Sequence, residues 1–259
     1  MKNKLPVILV IGGHDPTGGA GIQSDIETVT SLNCHAVSLI TCLTSQNTKE
    51  FLISDPVNPD TFFSQGKALI SDVNIDVIKI GAVGSSKIVE KINDLLTLMK
   101  NSPVIVDPII RSSSGGILTN KKSLDALKSL IFPKSFLVTP NLEEAKSISG
   151  EENLDLVIEN LFNLCKQYLL IKDVKKSKNL IVNNLYSKSK FIKHWENPRI
   201  EGQFHGTGCS LASSIACFMA KSRNIIESID LAQKYTLKAI NNSVKIGKGQ
   251  KILKGKLYD

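Results

Sequence analysis

The sequence has few cysteines and few aromatic residues, and it has no long apolar run. Its five cysteines are an odd number and include no CxxC pair, which argues against a disulfide framework and predicts reduced thiols in a cytoplasm. No apolar run approaches roughly 18 residues, so we expect no membrane partner. The sequence also lacks internal repeats, low-complexity tracts and long Pro- or Gly-rich linkers, which indicates an ordered globular chain.

Nucleotide- and nucleic-acid-binding signatures are equally scarce. Neither GxGxxG nor GxxxxGK[ST] occurs, so a dinucleotide-binding fold and a P-loop are not expected. The formal net charge is +8, but the lysines are scattered, with mild clusters at 172–193 and 245–256 and few aromatic residues between them. This pattern is typical of a solvated basic surface, and we expect no nucleic-acid partner.

The composition suits an α/β protein. The chain has 259 residues, of which 42% are hydrophobic and 22% charged, and we expect residues 1–259 to form a single domain. The start, "MKNKLPVILVIGGHDP", has a short apolar stretch that runs into Gly-Gly-His-Asp. It therefore predicts a first strand and not a signal peptide.

Short apolar runs alternate with stretches of helical periodicity. The runs predict strands at 7–11, 36–43, 75–80, 103–107, 135–139 and 168–172, and the stretches predict helices at 20–33, 58–72, 85–101 and 142–150. Such strands, buried on both faces, predict a mostly parallel sheet with helices on both sides. The stretch 179–195 instead predicts antiparallel strands at one edge, joined by "NN" and "SKSK" turns.

Glycine-rich turns follow the first strand and precede the last apolar helix. Residues 12–21 contain five glycines, which let the backbone approach a ligand closely or simply make a mobile loop. The turn Gly206-Thr207-Gly208-Cys209 begins a helix of small residues. Free backbone N–H groups and the helix dipole attract an anion there, or the turn simply leads into a helix whose small residues allow close packing. A first-turn position also predicts a lowered pKa for the Cys209 thiol.

Polar side chains stand directly after other predicted strands. Asp107 follows "VIV", and a carboxylate there needs a partner such as a metal ion, an amine or a helix cap. Asn141 and Glu144 have the spacing of a reciprocal capping box, which is by itself a sufficient explanation for them. The polar stretch 44–48 contacts a small ligand or merely makes a turn.

Six segments in this order together resemble a known family. The segments are "GGHDPTGGAGIQSDIETV", "LTSQNT", "IKIGAVGS", "VIVDPII", "VTPNLEEA" and "HGTGCSLASSIA". They are similar to those of the hydroxymethylpyrimidine/phosphomethylpyrimidine kinases of thiamine biosynthesis, in the ribokinase-like superfamily. The resemblance implies a three-layer α/β/α fold with a mostly parallel central sheet, a homodimer, and phosphorylation of a hydroxymethylpyrimidine and of its monophosphate by ATP.

The resemblance also implies functions for individual residues. The anion hole for the transferring phosphoryl group would comprise Gly206, Thr207, Gly208 and Cys209, with Cys209 helping to deprotonate the attacking hydroxyl. The pyrimidine would be bound by Gly13, Asp25 and Gln46. ATP would be bound by Lys172, Asn141 and Thr207, and Mg²⁺ by Asp107 and Glu144.

The chain departs from the family pattern at several positions. Asp173-Val174-Lys175 replaces the usual Gly-Gly-His after the lysine, His14 replaces a usual Ser, and Ala82 replaces a usual Met, which predicts a roomier substrate pocket. The tail 244–255 also differs from the usual ending. Two alternatives therefore stay open at this point: a pyridoxal or pyridoxine kinase on the same fold, and a non-catalytic pyrimidine-binding relative.

Overall fold

The protein is built around one large sheet between two layers of helices. The structure, a computed structural model, describes residues 5–99, 101–112, 115–175, 177–221 and 224–255. The sheet has nine strands in the order β3-β2-β1-β4-β5-β6-β7-β8-β9. Its strands are β1 (Val7–His14), β2 (His35–Gln46), β3 (Phe51–Pro56), β4 (Val77–Ile80), β5 (Val104–Val106), β6 (Leu137–Val138), β7 (Tyr168–Ile171), β8 (Leu180–Ser187) and β9 (Lys190–Pro198).

The helices cover both faces of this sheet. They are α1 (Gly21–Ser31), α2 (Pro59–Asp72), α3 (Ser86–Leu98), α4 (Lys121–Ala126), α5 (Leu142–Ser149), α6 (Leu154–Leu164), α7 (Thr207–Ala220) and α8 (Ile225–Asn241). Short π and 3₁₀ turns extend α4 through Leu127–Ile131 and Phe132–Lys134. A two-stranded sheet pairs β10 (Phe204–His205) with β11 (Lys251–Ile252).

Side-chain alternation along the strands produces the three layers. In β1, Leu9 and Ile11 belong to the core beneath α2, α3, α5 and α6, whereas Ile8 and Val10 belong to the core beneath α1, α7 and α8. Successive residues of a strand point to opposite faces, so a strand that is apolar throughout requires cover on both sides. The predicted three-layer α/β/α fold is confirmed.

The pairing pattern places antiparallel strands at both ends of the sheet. The pairs β2–β1, β1–β4, β4–β5, β5–β6 and β6–β7 are parallel. The predicted antiparallel edge is confirmed as β8 and β9 beside β7. A second antiparallel edge, β3 beside β2, was not predicted.

Two details of the sequence-based assignment are wrong. The "NN" pair, Asn183 and Asn184, lies inside β8 and makes no turn, because both residues continue the ladder with β9. Only the "SKSK" segment turns, with Lys188 and Ser189 at positive φ. The polar residues after the apolar run 36–43 do not all form a turn. Those as far as Gln46 continue β2, because they pair with β3 in a hairpin.

Helix boundaries follow the predicted capping signals closely. Asn58 caps α2, accepting hydrogen bonds from the backbone of Asp60 and Thr61, and Ser85 caps α3. Gly150 ends α5 in the left-handed conformation. Helix α3 ends at Leu98, before the predicted position 101, and residue 100 lies outside the described residues. No helix in the described part of the chain is long and apolar enough to cross a membrane.

Candidate active site

A cavity of about 650 Å³ lies at the carboxyl edge of the parallel strands. The ends of β1, β2, β4, β5, β6 and β7 all contribute to its lining, as expected for a ligand site in an open α/β sheet. The structure brings all of the predicted site residues together in this lining. They are Gly13, Asp25, Gln46, Asp107, Asn141, Glu144, Lys172, Gly206, Thr207, Gly208 and Cys209.

The turn at residues 206–209 leaves the first turn of α7 open. Gly206 precedes the helix in the left-handed conformation, with φ 81°, and no side chain caps the helix. A Cβ at Gly206 would collide with the carbonyl of Gly19, so both the φ angle and the space require glycine. The backbone N–H groups of the first turn thus remain available to an anion, with the helix dipole favouring negative charge.

A buried contact ties the first glycine-rich loop to this turn. Nε2 of His205 lies 3.1 Å from Oδ2 of Asp15. Asp15 also accepts hydrogen bonds from the backbone of Thr17 and Ala20, each at 2.9 Å. Burial alone would raise the pKa of Asp15, but hydrogen bonds from His205 and Thr17 hold it below its usual value. The loop and the helix start are therefore fixed relative to each other.

Asp107 and Lys172 form an ion pair in front of α7. Nζ of Lys172 donates to Oδ1 of Asp107 at 2.8 Å, and Thr139 donates to the same oxygen at 3.0 Å. Oδ2 of Asp107 and Nζ of Lys172 each lie 3.4 Å from the position that a Cβ on Gly208 would occupy. Burial would raise the pKa of Asp107, but Lys172 and Lys79 lower it. A carboxylate and an ammonium thus lie beside the open N–H groups.

Asn141 and Glu144 form the predicted capping box at the start of α5. The Asn141 side chain accepts from the Glu144 N–H at 2.8 Å, and the Glu144 carboxylate accepts from the Asn141 N–H at 2.8 Å. Burial raises the pKa of Glu144 to about 7, although Lys172 opposes this shift. The capping explanation is confirmed, and the same two side chains also line the cavity.

The carboxylate set fits a magnesium ion that is shared with phosphate oxygens. Lys172 and Thr139 both donate to Oδ1 of Asp107, while Oδ2 lies on the side of Gly208, at the open first turn of α7. Within the same described ranges, no group of three or more His, Cys, Asp or Glu residues is arranged to hold a metal. Mg²⁺ is commonly held by one or two carboxylates together with water and substrate phosphates, so a sparse site suffices.

Asp25 is held by a lysine that the sequence analysis missed. Nζ of Lys79 donates to both carboxylate oxygens of Asp25, at 2.9 and 2.7 Å, and Ser213 donates to Oδ1 at 2.7 Å. Both Lys79 and Asp25 are fully buried. Burial would lower the pKa of Lys79, but the Asp25 carboxylate raises it above its usual value. A lysine within the apolar run "VIKI" was the available signal, because such a charge requires a buried partner.

The predicted low pKa of the Cys209 thiol is wrong. Burial raises its pKa to about 11, although Lys79 opposes this. A helix N-terminus favours a thiolate, but here the thiol is buried and the cost of removing a charge from water is larger. The Cys209 thiol therefore keeps its proton at neutral pH.

The opposite end of the cavity is narrow and mostly backbone. A Cβ at Gly13 would lie 2.8 Å from Sγ of Cys42, and Ala82 stands 3.7 Å from the same position. Gln46, which is half-buried, donates from Nε2 to Oγ1 of Thr44 at 2.9 Å. Cys42 and Ala82 thus pack against Gly13, and Gly13, Ala82 and Gln46 all belong to the cavity lining at this end.

The fold and the site together define a small-molecule kinase of the ribokinase-like class. A pyridoxal kinase from Staphylococcus aureus, solved with AMP-PCP, superposes with a TM-score of 0.86 at 23% identity, covering 97% of this chain and 93% of that one. A phosphomethylpyrimidine kinase from Clostridium difficile superposes with a TM-score of 0.78 at 30% identity, covering 92% of this chain and 100% of that one.

The sequence comparisons narrow this class. The sequence model of the phosphomethylpyrimidine kinase family matches residues 15–254, and the chain belongs to this family. The hydroxymethylpyrimidine/phosphomethylpyrimidine kinase of Aquifex aeolicus is 32% identical over 95% of this chain and 99% of its own length. The thiamine biosynthesis bifunctional protein of Geobacter sulfurreducens is 34% identical over 93% of this chain, which spans only 50% of that protein.

Proposed function

We propose that the protein transfers the γ-phosphoryl group of ATP to 4-amino-5-hydroxymethyl-2-methylpyrimidine and then to the resulting monophosphate, in thiamine biosynthesis. The observation that carries this proposal is the placement of the open turn 206–209 against the Asp107–Lys172 pair, within a single cavity. Phosphoryl transfer depends mainly on positioning and on stabilising negative charge, and these groups supply both.

The anion-binding groups act on the transferring phosphoryl group. The N–H groups of Thr207, Gly208 and Cys209 bind its oxygens as negative charge spreads over them. Lys172 adds a positive charge that Asp107 keeps in place at 2.8 Å. Asp107 and Glu144, with Asn141 positioned by the same capping box, would hold Mg²⁺ against the ATP phosphates. When bound, Mg²⁺ would neutralise phosphate charge in the reaction.

Cys209 orients the attacking hydroxyl in this proposal. With a pKa near 11 the thiol keeps its proton at neutral pH, so it is a hydrogen-bonding partner of the hydroxyl and not a resting base. This differs from the deprotonating function that the family resemblance implies. The attacking oxygen needs little activation when the phosphorus–oxygen bond to ADP is already breaking, so orientation is enough. The hydroxyl proton leaves late, as the new phosphorus–oxygen bond forms, and passes to an oxygen of the transferred phosphoryl group.

The pyrimidine binds at the β1–β2 side of the cavity in our proposal. Gly13 would contact the ring through its backbone and Gln46 through its side-chain amide. Asp25 lines the same part of the cavity, and hydrogen bonds from Lys79 and Ser213 hold its carboxylate in place. Both oxygens of Asp25 already accept hydrogen bonds from protein groups, so we propose that Asp25 contacts the ring through its remaining lone pairs.

An ADP-release assay with Mg²⁺ and ATP tests the proposed function. Hydroxymethylpyrimidine, its monophosphate and pyridoxal are presented separately, and turnover of both pyrimidines is expected. Turnover of pyridoxal alone would contradict the proposal and favour a pyridoxal kinase, for which the small Ala82 at the cavity wall is the supporting observation. Ligand binding without any turnover would indicate a non-catalytic relative.

The assembly and compartment are part of the same proposal. We propose a homodimer that forms along the exposed edge strand β3, where Leu52 and Ile53 are 67% and 50% exposed. Large apolar side chains on an open strand edge favour pairing with a second copy. All of the cysteines are free thiols, which supports a reducing cytoplasmic environment.

A further inference from the structure

The residue that follows Lys172 has an unusual backbone conformation. Asp173 has φ 53°, in the left-handed region that favours glycine. An aspartate tolerates this region better than most residues do, but it still requires surrounding contacts to hold it there. Asp173 directly follows Lys172, the lysine that pairs with Asp107. The contacts that hold Asp173 therefore restrain the carbonyl end of Lys172, whose N–H donates to the carbonyl of Pro140 at 2.8 Å.

Two strong contacts hold Asp173. Its N–H donates to Oδ1 of Asn183 at 3.0 Å. Its carboxylate accepts from Nη2 of Arg199, at 2.7 Å on one oxygen and 2.8 Å on the other. Nε of Arg199 donates to the carbonyl of Ser177 at 2.8 Å. Arg199, just after β9, therefore clamps the segment that leaves β7.

The contacts continue into a buried amide network. Nδ2 of Asn183 donates to Oε1 of Gln233 at 2.8 Å, and Nδ2 of Asn197 donates to the same oxygen at 2.7 Å. Asn183 and Gln233 are each only 5% exposed. Networks of this kind, when satisfied in a low-dielectric setting, fix the relative position of the elements that carry them. Here they join the end of β7 to β8, β9 and α8.

This network forms one wall of the cavity. Asp173, Asn183, Asn197, Arg199 and Gln233 all belong to its lining. The sheet order places β7, β8 and β9 on one side of β5 and β6, with β1 and β2 on the other. The network therefore lies on the side of Lys172 and opposite the end that Gly13 and Gln46 line. We therefore expect a substitution in the network to alter the Lys172 side of the cavity more than the side of Gly13 and Gln46.

We propose that Asp173 and Arg199 are positioning residues for the nucleotide. Their ion pair fixes the segment after β7, and with it Lys172 and the network wall, in the arrangement that ATP binds. The inference rests on the proposed kinase function, because it assigns the Lys172 side of the cavity to ATP. It predicts that loss of the pair weakens nucleotide binding and leaves pyrimidine binding unchanged.

The test compares substitutions that preserve the backbone of the segment. Asp173→Asn tolerates positive φ and keeps the side-chain volume but removes the charge, and Asp173→Gly relieves the backbone but removes the side chain. Arg199→Gln removes the other partner. Each variant is expected to weaken ADP binding, measured by calorimetry, about three- to fivefold, the range typical of a partly exposed ion pair. The KM for ATP should rise by the same factor.

The double variant Asp173→Asn/Arg199→Gln tests whether the two single substitutions act through the same ion pair. It should weaken ADP binding no more than the stronger single variant, because both substitutions remove the same interaction. Asp230→Asn breaks the exposed Lys234–Asp230 pair on α8, away from the cavity lining, and should leave ADP binding unchanged. Unchanged ADP binding in Asp173→Gly and Arg199→Gln, or equal rises in the KM for ATP and for the pyrimidine, would overturn the inference.

Calorimetry with ADP also separates this inference from the proposed function. If the wild type binds ADP but phosphorylates no pyrimidine, the proposed function fails while the ADP affinities of the variants still decide the inference. If the wild type binds no adenine nucleotide, the inference is overturned together with the function. Thermal unfolding of each variant shows whether a loss of ADP binding reflects a loss of folded protein.

Discussion

At the scale of single residues, Lys79 and Asp25 form the most buried ion pair in the described part of the site. Lys79→Met leaves the Asp25 carboxyl buried without its counter-ion, so this variant should lower the free energy of unfolding by about 3–5 kcal/mol. Asp25→Leu/Lys79→Met removes both charges and should be more stable than Lys79→Met alone. Urea denaturation measures both differences.

A matched surface pair provides the control for this prediction. Lys91 and Asp60 lie 3.3 Å apart, with the Asp60 side chain 88% exposed. Lys91→Met should change the free energy of unfolding by only about 0.5 kcal/mol or less. If Lys79→Met lowered the free energy of unfolding as little as Lys91→Met, the buried pair would not hold Asp25 in place as described.

The protonated thiol of Cys209 leads to a second residue-scale prediction. If it orients the hydroxyl by hydrogen bonding, Cys209→Ala should lower kcat by about a hundredfold or more, and Cys209→Ser should retain several times the activity of the alanine variant. Steady-state kinetics with saturating substrates measure both. An alanine variant within about twofold of wild type would contradict any catalytic contribution of Cys209.

At the scale of elements, local signals predicted where α2 and α3 begin and where α5 begins and ends, but helices α4, α6 and α8 and one edge of the sheet were not predicted. The helix caps bind backbone groups only two or three residues away, so the local sequence is enough to predict them. These caps are Asn58, Ser85 and the capping box of Asn141 and Glu144. Strand β3 was missed and the "NN" turn was wrong, because both depend on pairing with distant or adjacent strands. Sequence patterns show such pairing only weakly.

The turn before α7 gives a prediction at this scale. Gly206 and Gly150 share nearly the same φ, 81° and 78°, but only Gly206 is packed against another backbone segment. Gly150→Ala should therefore cost about 1 kcal/mol of unfolding free energy, from the positive φ alone. Gly206→Ala should cost clearly more and should abolish activity, since the turn must move away from Gly19.

Thermal unfolding and an activity assay on the two alanine variants check this pair. Gly150→Ala is expected to keep wild-type kcat, because nothing lies within 4 Å of the added Cβ. Equal stability losses and full activity in both variants would show that the close approach of Gly206 to the first glycine-rich loop is unimportant for the site.

At the scale of the whole molecule, convergence at one sheet edge explains why the residues that the family resemblance implied all line one cavity. Residues such as Asp107 and Lys172 follow different strands, and parallel strands end at the same edge. Lys79 and the network around Asp173 were not predicted, because their partners come from distant parts of the chain. The single domain over 1–259 stays a prediction.

The proposed homodimer is tested at this scale. Leu52→Lys/Ile53→Lys places charges on the exposed edge strand β3 and should convert a dimer into a monomer, because charged side chains block edge pairing. Sedimentation equilibrium measures the mass of both proteins. Phe191→Lys, on the opposite edge strand β9, is the matched control and should leave the mass unchanged. A monomeric wild type would contradict the proposal.

The most direct test of the central claim is ³¹P NMR of the reaction of hydroxymethylpyrimidine monophosphate with Mg²⁺ and ATP. Our account predicts that a diphosphate on the pyrimidine forms together with ADP in equal amounts, and that Asp107→Asn slows both equally. ADP formed without the pyrimidine diphosphate would mean that the site hydrolyses ATP without positioning the pyrimidine. That result, or the absence of any reaction, would contradict the assignment of this cavity to phosphomethylpyrimidine phosphorylation.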